Sequence, residues 1–272
     1  MRALFIKQDH ASPSGLIGEA FTDLGYDVSE FTVVPAERYH SPDVTVTFPD
    51  PAGYDAIVPF GAVWSVYDDA AIGTWIGSEI AFTRHAIGLG VPVLGICFGG
   101  QLLAAAVGGQ VTRAPEAEIG WTVVDSDDPG LIDPGPWFQW HSDRFTPPAG
   151  VPVMARTTLA NQAFTVGRSL ALQFHPELTP SVLECWLDNG GEGELTACGV
   201  SAAGLMAQTR RLAGAYAART HELVRGFTRE VATAPAALAL AGNHQRGADD
   251  DQRGADDDQR GADDDQRVAD VG

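Results

Sequence analysis

The sequence predicts an α/β fold: a central, mostly parallel sheet flanked by helices, with a smaller antiparallel or mixed sheet region beyond it. Two observations carry this. Up to Val107, apolar runs of strand length alternate with stretches of helix length, and strand–helix–strand order builds a parallel sheet with helices on both faces. Past Gly109, short strand patterns follow one another with turns between them, which is the texture of antiparallel or mixed pairing.

In chain order, Arg2–Lys7 reads as the first strand. Ser12-Pro13-Ser14 caps a helix running to about Leu24 and closed by Gly25. Tyr26–Val34 carries a second strand, and Ala56–Pro59 a third after Gly53-Tyr54-Asp55. A helix covers roughly Ala70–Leu89 and ends at Gly90. Val91, Val93, Leu94 and Ile96 form the next strand, with Pro92 near its start, where a missing N–H does least harm. Gln101–Val107 continues as a helix, stopped by Gly108-Gly109. Gln110–Arg113, Gly120–Asp125, Trp137–Trp140, Val151–Thr157, Gln162–Val166 and Ser169–Phe174 read as short strands, followed by helices near Pro180–Leu187 and Ala203–Val231. Residues 1–240 are expected to form one domain.

Composition narrows the function. Of 272 residues 44% are hydrophobic, enough for a sizeable core, and the net charge is −19. Nucleic acid is not an expected partner, because phosphate binding needs a basic face. No apolar run approaches the length of a membrane span, and no signal peptide precedes the first strand pattern, so no membrane partner and a cytoplasmic location are expected. The three cysteines, 97, 185 and 198, have neither zinc-like nor disulfide-framework spacing, and their odd number fits a reducing compartment. With no metal-ligand spacing and no phosphate-binding G-x-x-x-x-G-K-[ST] loop, neither a metal nor a cofactor is expected.

The C-terminal segment differs in kind. GADDDQR repeats three times between Gly247 and Arg267. Its only apolar residue is Ala, so its seven-residue period offers no coiled-coil seam. A calcium loop also fails, because an arginine stands where an oxygen ligand would be needed. Residues 241–272 therefore read as an acidic, low-complexity, disordered tail.

The chemistry centres on Gly95-Ile96-Cys97-Phe98-Gly99, a Gly-x-nucleophile-x-Gly elbow between a strand and a helix, with cysteine as the nucleophile. Cys97 would sit at a helix N-terminus, where the macrodipole favours a thiolate. The N–H of Phe98 would face the same space as an oxyanion donor. A single cysteine is more often a small buried hydrophobe than a catalyst, so the chain must also supply a base. Leu172-Gln173-Phe174-His175-Pro176-Glu177 does so. His175 and Glu177 stand two apart in an extended segment and leave the same face. A carboxylate beside an imidazole fixes its tautomer and orientation. His141, followed by Asp143, is the rival base.

These stretches together resemble the class I (triad-type) glutamine amidotransferases, closest to stand-alone relatives of the GMP synthase amidotransferase domain. Ser65-Val66-Tyr67-Asp68-Asp69, Glu118-Ile119-Gly120-Trp121, Gln139-Trp140-His141-Ser142-Asp143 and Asn161-Gln162-Ala163-Phe164 fall in that family's order. The resemblance implies a flavodoxin-like parallel sheet and hydrolysis of the glutamine side-chain amide through a γ-glutamyl thioester. It makes Cys97 the nucleophile, His175 the general base and acid, and Glu177 its orienter. Phe98 and the Gly61-Ala62 loop would supply oxyanion donors; Gln101, Ser142 and Asp143 would face the bound substrate. The family usually carries Gly-Gly-Pro where this chain has Gly61-Ala62-Val63, and a donor survives at Ala62 if its φ is negative. Gly100 stands where many members carry His or Met. Glutamine or another γ-glutamyl compound is the implied substrate, and a synthetase subunit the implied partner. A stand-alone γ-glutamyl amide hydrolase and a non-catalytic binding protein remain the other readings. Trp64, Trp121 and Trp140 read as core or pocket walls, and Cys185 and Cys198 as structural or exposed thiols.

Overall fold

Alternation along the strands decides the architecture. Ala3 and Phe5 of β1 (Arg2–Lys7) point to one side of the sheet and Leu4 and Ile6 to the other, as a period of two requires. Both sides are apolar, so both must be covered. A computed structural model describes residues 1–235 of the chain; the repeats at 241–272 lie outside the described residues.

The remaining elements, in order, are α1 (Gly15–Asp23), β2 (Asp27–Thr32), β3 (Ala56–Pro59), α2 (Asp69–Ile72), α3 (Ile76–Gly88), β4 (Leu94–Ile96) and α4 (Phe98–Ala106). There follow β5 (Gln110–Thr122), β6 (Asp125–Ser126), β7 (Trp137–Thr146), β8 (Val153–Arg156), β9 (Asn161–Val166) and β10 (Ser169–Leu172). Three helices, α5 (Pro180–Trp186), α6 (Glu192–Ala197) and α7 (Ala202–Gly226), complete the described part.

Strands β2, β1 and β3 are parallel. β3 joins β4 through a bridge between Ile57 and Val93, where the Ile57 N–H donates to Pro92 O at 2.9 Å. β4 pairs in parallel with β10, and β9, β8 and β6 extend the edge antiparallel. Helices α1, α5 and α7 pack on the side of Phe5, Val58, Ile96 and Leu172. The opposite side, with Ile6, Ile57 and Val93, takes α3 and α4. The expected α/β class, with a mostly parallel sheet and a separate smaller one, is what the chain adopts. The smaller sheet is the antiparallel pair β5–β7.

Several elements depart from the sequence pattern for identifiable reasons. The single helix expected over Ala70–Leu89 is two. The Asp68 carboxylate accepts from the Ala71 N–H at 3.2 Å and caps a first short turn. The chain then breaks so that Trp75 can bury its ring fully and donate its Nε1–H to Pro42 O at 3.0 Å. The strands expected at Gln110–Arg113 and Gly120–Asp125 merge into one 13-residue β5, whose pairing with β7 is irregular between Arg113 and Glu118. Pro115, which has no N–H for the ladder, falls in that interval. β7 continues past the expected Trp140 to Thr146, so His141, Ser142 and Asp143 sit on a strand rather than a loop. The last helix ends in a wide turn over Phe227–Val231.

One buried charge-bearing group lies beneath this frame. Glu79 of α3 is wholly buried and accepts from Gln8 Nε2 at 2.8 Å. Burial pushes its pKa from 4.5 up to about 8, against a smaller lowering by Gln8. Folding therefore keeps Glu79 protonated while the unfolded chain ionises it above its ordinary pKa. Its contribution to stability is fully present below pH 4.5 and is lost as pH rises towards 8, in total on the order of 5 kcal/mol. Glu79→Gln keeps the acceptor for Gln8 and cannot ionise. The variant is expected to melt well above the parent at pH 8 and to converge with it towards pH 5, as checked by thermal melts across that range.

Candidate functional site

The site forms where β4 and β10 end side by side. Because the two strands are parallel, both carboxyl ends open on the same edge of the sheet, and the residues that follow them meet there. Cys97 follows β4 directly, and its N–H donates to Leu172 O, the last residue of β10, at 2.8 Å. Among the described residues Cys97 is the only non-glycine with positive φ, at 50°. Such backbone strain costs about 1–3 kcal/mol and turns the side chain out at the head of α4. The Phe98 N–H precedes the first intrahelical bond, from the Gln101 N–H to Cys97 O at 2.9 Å, so it is free of the helix ladder.

The elbow tolerates no bulk. A Cβ on Gly99 would stand 2.0 Å from Pro59 O, and one on Gly100 2.4 Å from Leu172 O. Gly100, which the sequence alone left without a role, is thus a packing requirement of the α4–β10 contact. A Cβ on Gly61 would approach His175 Cε1 at 3.1 Å and Cys97 Cβ at 3.8 Å, so the loop after β3 closes over both side chains. Ala62 is not among the residues with positive φ, and its N–H is available without the strain a left-handed alanine would carry.

His175 is held from several sides. Its N–H donates to Phe138 O at 2.9 Å, and its carbonyl accepts from the Tyr216 hydroxyl of α7 at 2.6 Å. Thr220 Oγ1 donates to Pro176 O at 2.8 Å, and the Leu16 N–H of α1 donates to Glu177 O at 3.0 Å. The ring's Nδ1 meets Glu177 Oε1 at 2.7 Å, its Nε2 lies 3.3 Å from Trp140 O, and the Cys97 side chain is beside the ring under the Gly61 loop. Both His175 and Glu177 are buried. Burial alone would lower the His175 pKa, but the charges of Cys97 and Glu177 outweigh it and hold the imidazole well above its ordinary value. Opposite charges at short range favour the protonated ring.

Gln173, missed by the sequence reading, lies fully buried with Nε2 at 3.7 Å from Cys97 Sγ, and its Oε1 accepts from Gln101 Nε2 at 3.4 Å. The period of two that put His175 and Glu177 on one face also includes Gln173, and that signal could have found it.

The other predicted residues line the same cavity, of about 430 Å³. Gln101 Nε2 donates to Asp143 O at 3.3 Å. The Asp143 carboxylate accepts from Ser65 Oγ and from Tyr67 OH at 2.7 Å, with Arg113 at 3.9 Å. Ser142, Trp64 and Trp140 also face the cavity, whereas Trp121 packs away from it, donating Nε1–H to Thr209 Oγ1 at 3.2 Å. The rival base His141 has a carboxylate the sequence did not indicate: its Nε2 stands 3.3 Å from Glu118 Oε2 and 3.1 Å from Gln139 Oε1. Its Nδ1 faces Asp143 O at 3.0 Å. Both of its ring nitrogens thus have partners other than Cys97.

The close contacts of the elbow generate a test. Gly99→Ala and Gly100→Ala each drive a methyl into a backbone carbonyl, and each is expected to lose roughly 3 kcal/mol or more of stability, measured by denaturant unfolding.

The GMP synthase [glutamine-hydrolyzing] of Aeropyrum pernix is 36% identical over 141 residues, 47% of this chain and 25% of that protein. That of Thiobacillus denitrificans is 31% identical over 180 residues, 59% and 32% respectively. The chain therefore spans only about a quarter to a third of these curated relatives. Among solved structures, a glutamine amidotransferase from Thermotoga maritima superposes with TM-score 0.72 at 22% identity, covering 84% of this chain and 98% of that one. A glutamine amido transferase from Methylobacillus flagellatus gives TM-score 0.73 at 21% identity over 90% and 99%; at such identities the likeness is one of fold. The family model for glutamine amidotransferase class-I matches residues 18–189, more than half of the chain, and the chain belongs to that family.

Proposed function

We propose that this protein hydrolyses the side-chain amide of glutamine to glutamate and ammonia through a thioester on Cys97. The single observation that carries this is that Cys97, His175 and Glu177 are buried together at the head of α4, with His175 Nδ1 2.7 Å from Glu177 Oε1. Asp143, Gln101 and Ser142 hold the α-ammonium and α-carboxylate end. A carboxylate suits an ammonium, and the Arg113 guanidinium beside Asp143 suits a carboxylate. The thiolate attacks the amide carbon, and the N–H groups of Phe98 and Ala62 receive the oxyanion. His175 delivers its proton to the departing nitrogen, then takes one from the water that cleaves the thioester. Glu177 keeps Nδ1 protonated and the ring in place.

The relatives' names support a synthetase partner that consumes the ammonia, with this chain as the glutaminase component. A second reading, hydrolysis of substituted γ-glutamyl amides, is favoured by the size of the cavity, about 430 Å³. The shared burial of Cys97, His175 and Glu177 speaks against a non-catalytic binding protein.

Cys97→Ala and His175→Ala are each expected to lower kcat for glutamine hydrolysis by about 10⁵-fold, and Glu177→Gln by roughly ten- to a hundredfold less than that. The losses fall on kcat more than KM, because these groups act on the transition state. Near-normal turnover in His175→Ala with a dead His141→Ala would transfer the base role to His141. A glutamine-like electrophile should label Cys97 and spare Cys185 and Cys198, as read by peptide mass mapping.

The raised His175 pKa gives a separate check. Glu177→Gln removes one of the charges that favour the imidazolium, so the ring's titration midpoint is expected to move to lower pH, as followed by NMR of the His175 ring in the parent and the variant.

A further inference from the structure

We propose that the cavity extends past His175 into a lobe that receives the leaving amine of a γ-glutamyl amide, and that this amine carries a second, positively charged nitrogen. The inference rests on the reading that Cys97 attacks a γ-glutamyl carbonyl.

Direction comes first. The amino-acid end of the substrate lies towards Asp143, Ser65 and Gln101. The scissile nitrogen must lie against His175, which protonates it. Any substituent on that nitrogen continues away from Asp143, along the far side of the His175 ring. That side is the edge of Trp186, with ring centroids 4.8 Å apart, and Trp186 meets Trp140 at 5.8 Å. Tyr39, Asp9, Asn189 and Glu194 line the same cavity, Glu194 bonded to Trp140 and Tyr39 to Asn189 O. Departing ammonia makes no use of these walls. A cavity of about 430 Å³ falls in the range of sites for ligands larger than one amino acid.

The chemistry of the lobe selects a cation. Asp9 is buried to 1% exposure. Its Oδ1 accepts from the Ala11 N–H at 2.7 Å and Ser12 Oγ at 3.2 Å, while its Oδ2 is buried with no hydrogen-bond partner. Burial of an unpaired carboxylate is costly unless a donor or cation meets it. Glu194 accepts from Trp140 Nε1 at 2.9 Å, and neither carboxylate has an ion-pair partner among the described residues. Of the nearest basic side chains, Lys7 is spent on Glu30 at 3.3 Å. His10 Nε2 faces Asn189 Oδ1 at 2.9 Å. Tyr39, Trp140 and Trp186 add aromatic surface, which attracts an ammonium beyond the apolar contact it gives a neutral alkyl chain of equal length. An anionic substituent, such as the carboxylate of a γ-glutamyl dipeptide, would meet two like charges.

The reaction balances with the groups already present. Cys97 sulfur bonds to the γ-carbon, the C–N bond breaks, and the His175 proton goes to the leaving nitrogen, releasing a diamine. Water then adds to the thioester, returns its proton to His175, and the C–S bond breaks to give glutamate and the free thiol.

The test compares, on the full chain, glutamine with the γ-glutamyl amides of a four-carbon diamine, of an uncharged five-carbon monoamine, and of glycine. The diamine amide is expected to exceed the monoamine amide in kcat/KM by about tenfold or more, from ion pairing and cation–π contact, to exceed the glycine amide further, and to be preferred to glutamine. Glu194→Gln, at an exposed position, and Asp9→Asn are each expected to shrink the diamine-to-monoamine ratio several-fold. Should Asp9→Asn fail to fold, Glu194→Gln still decides. Equal rates for the two amides, a preference for glutamine, or a ratio that survives these substitutions overturns the lobe assignment and leaves the glutaminase reading standing. No hydrolysis of any of the four compounds, with Cys97 intact, overturns both.

Discussion

The parallel pairing of β4 with β10 is the constraint on which the rest depends. It sets two strand ends, far apart in the chain, against each other with the hydrogen bond from Cys97 N–H to Leu172 O at 2.8 Å. From that one bond follow the position of the strained cysteine, the start of α4 and the approach of His175. The glycines around it follow as well. Gly95 would place a Cβ 2.3 Å from Gly99 O, and Gly100 one 2.4 Å from Leu172 O, so the elbow exists only where backbone touches backbone. The cost of a left-handed cysteine, about 1–3 kcal/mol, is offset by a surround that leaves the residue no other conformation.

The second support is polar and buried. Glu118, His141, Gln139 and Gln162 form a closed set across β5, β7 and β9. Gln162 Nε2 donates to Glu118 Oε2 at 3.0 Å and Gln139 Nε2 to Gln162 Oε1 at 3.0 Å, while His141 bridges Glu118 and Asp143 O. Satisfied networks of this kind fix one arrangement, because any partial loss leaves a buried group unpaired. Here the arrangement holds the Asp143 backbone against Gln101, and so couples the small sheet to α4. His141 therefore serves as a strut between β5 and β7, its ring nitrogens engaged by Glu118, Gln139 and Asp143 O.

Charge is distributed around the cavity with a purpose for each group. Against its burial, Cys97 and Glu177 raise the His175 pKa, which favours the protonated ring. Asp143 is engaged by Ser65, Tyr67 and Arg113, whereas Asp9 Oδ2 has no partner. The same cavity thus carries one satisfied carboxylate and one with an oxygen left unpartnered.

What the sequence determined by itself was the local grammar. It showed the Gly-x-Cys-x-Gly elbow, the His-Pro-Glu segment, most of the strands and helices, and the parallel-then-antiparallel order. Each of these follows from spacing: a period of two, a helical stop at Gly25 or Gly90, a proline that cannot pair. Spacing reports which face a side chain occupies, not what stands opposite. Only the tertiary structure decided that Cys97 and His175 share an edge, because a hydrogen-bonded register between distant strands is not written in either strand alone. It likewise decided that His141 meets Glu118 on β5, that Gly100 is pressed on Leu172, and that Asp9, Tyr39 and Glu194 converge from three separate segments. None of those three carries a sequence signal, since a lone acidic or aromatic residue acquires its chemistry only from the neighbours that folding brings to it.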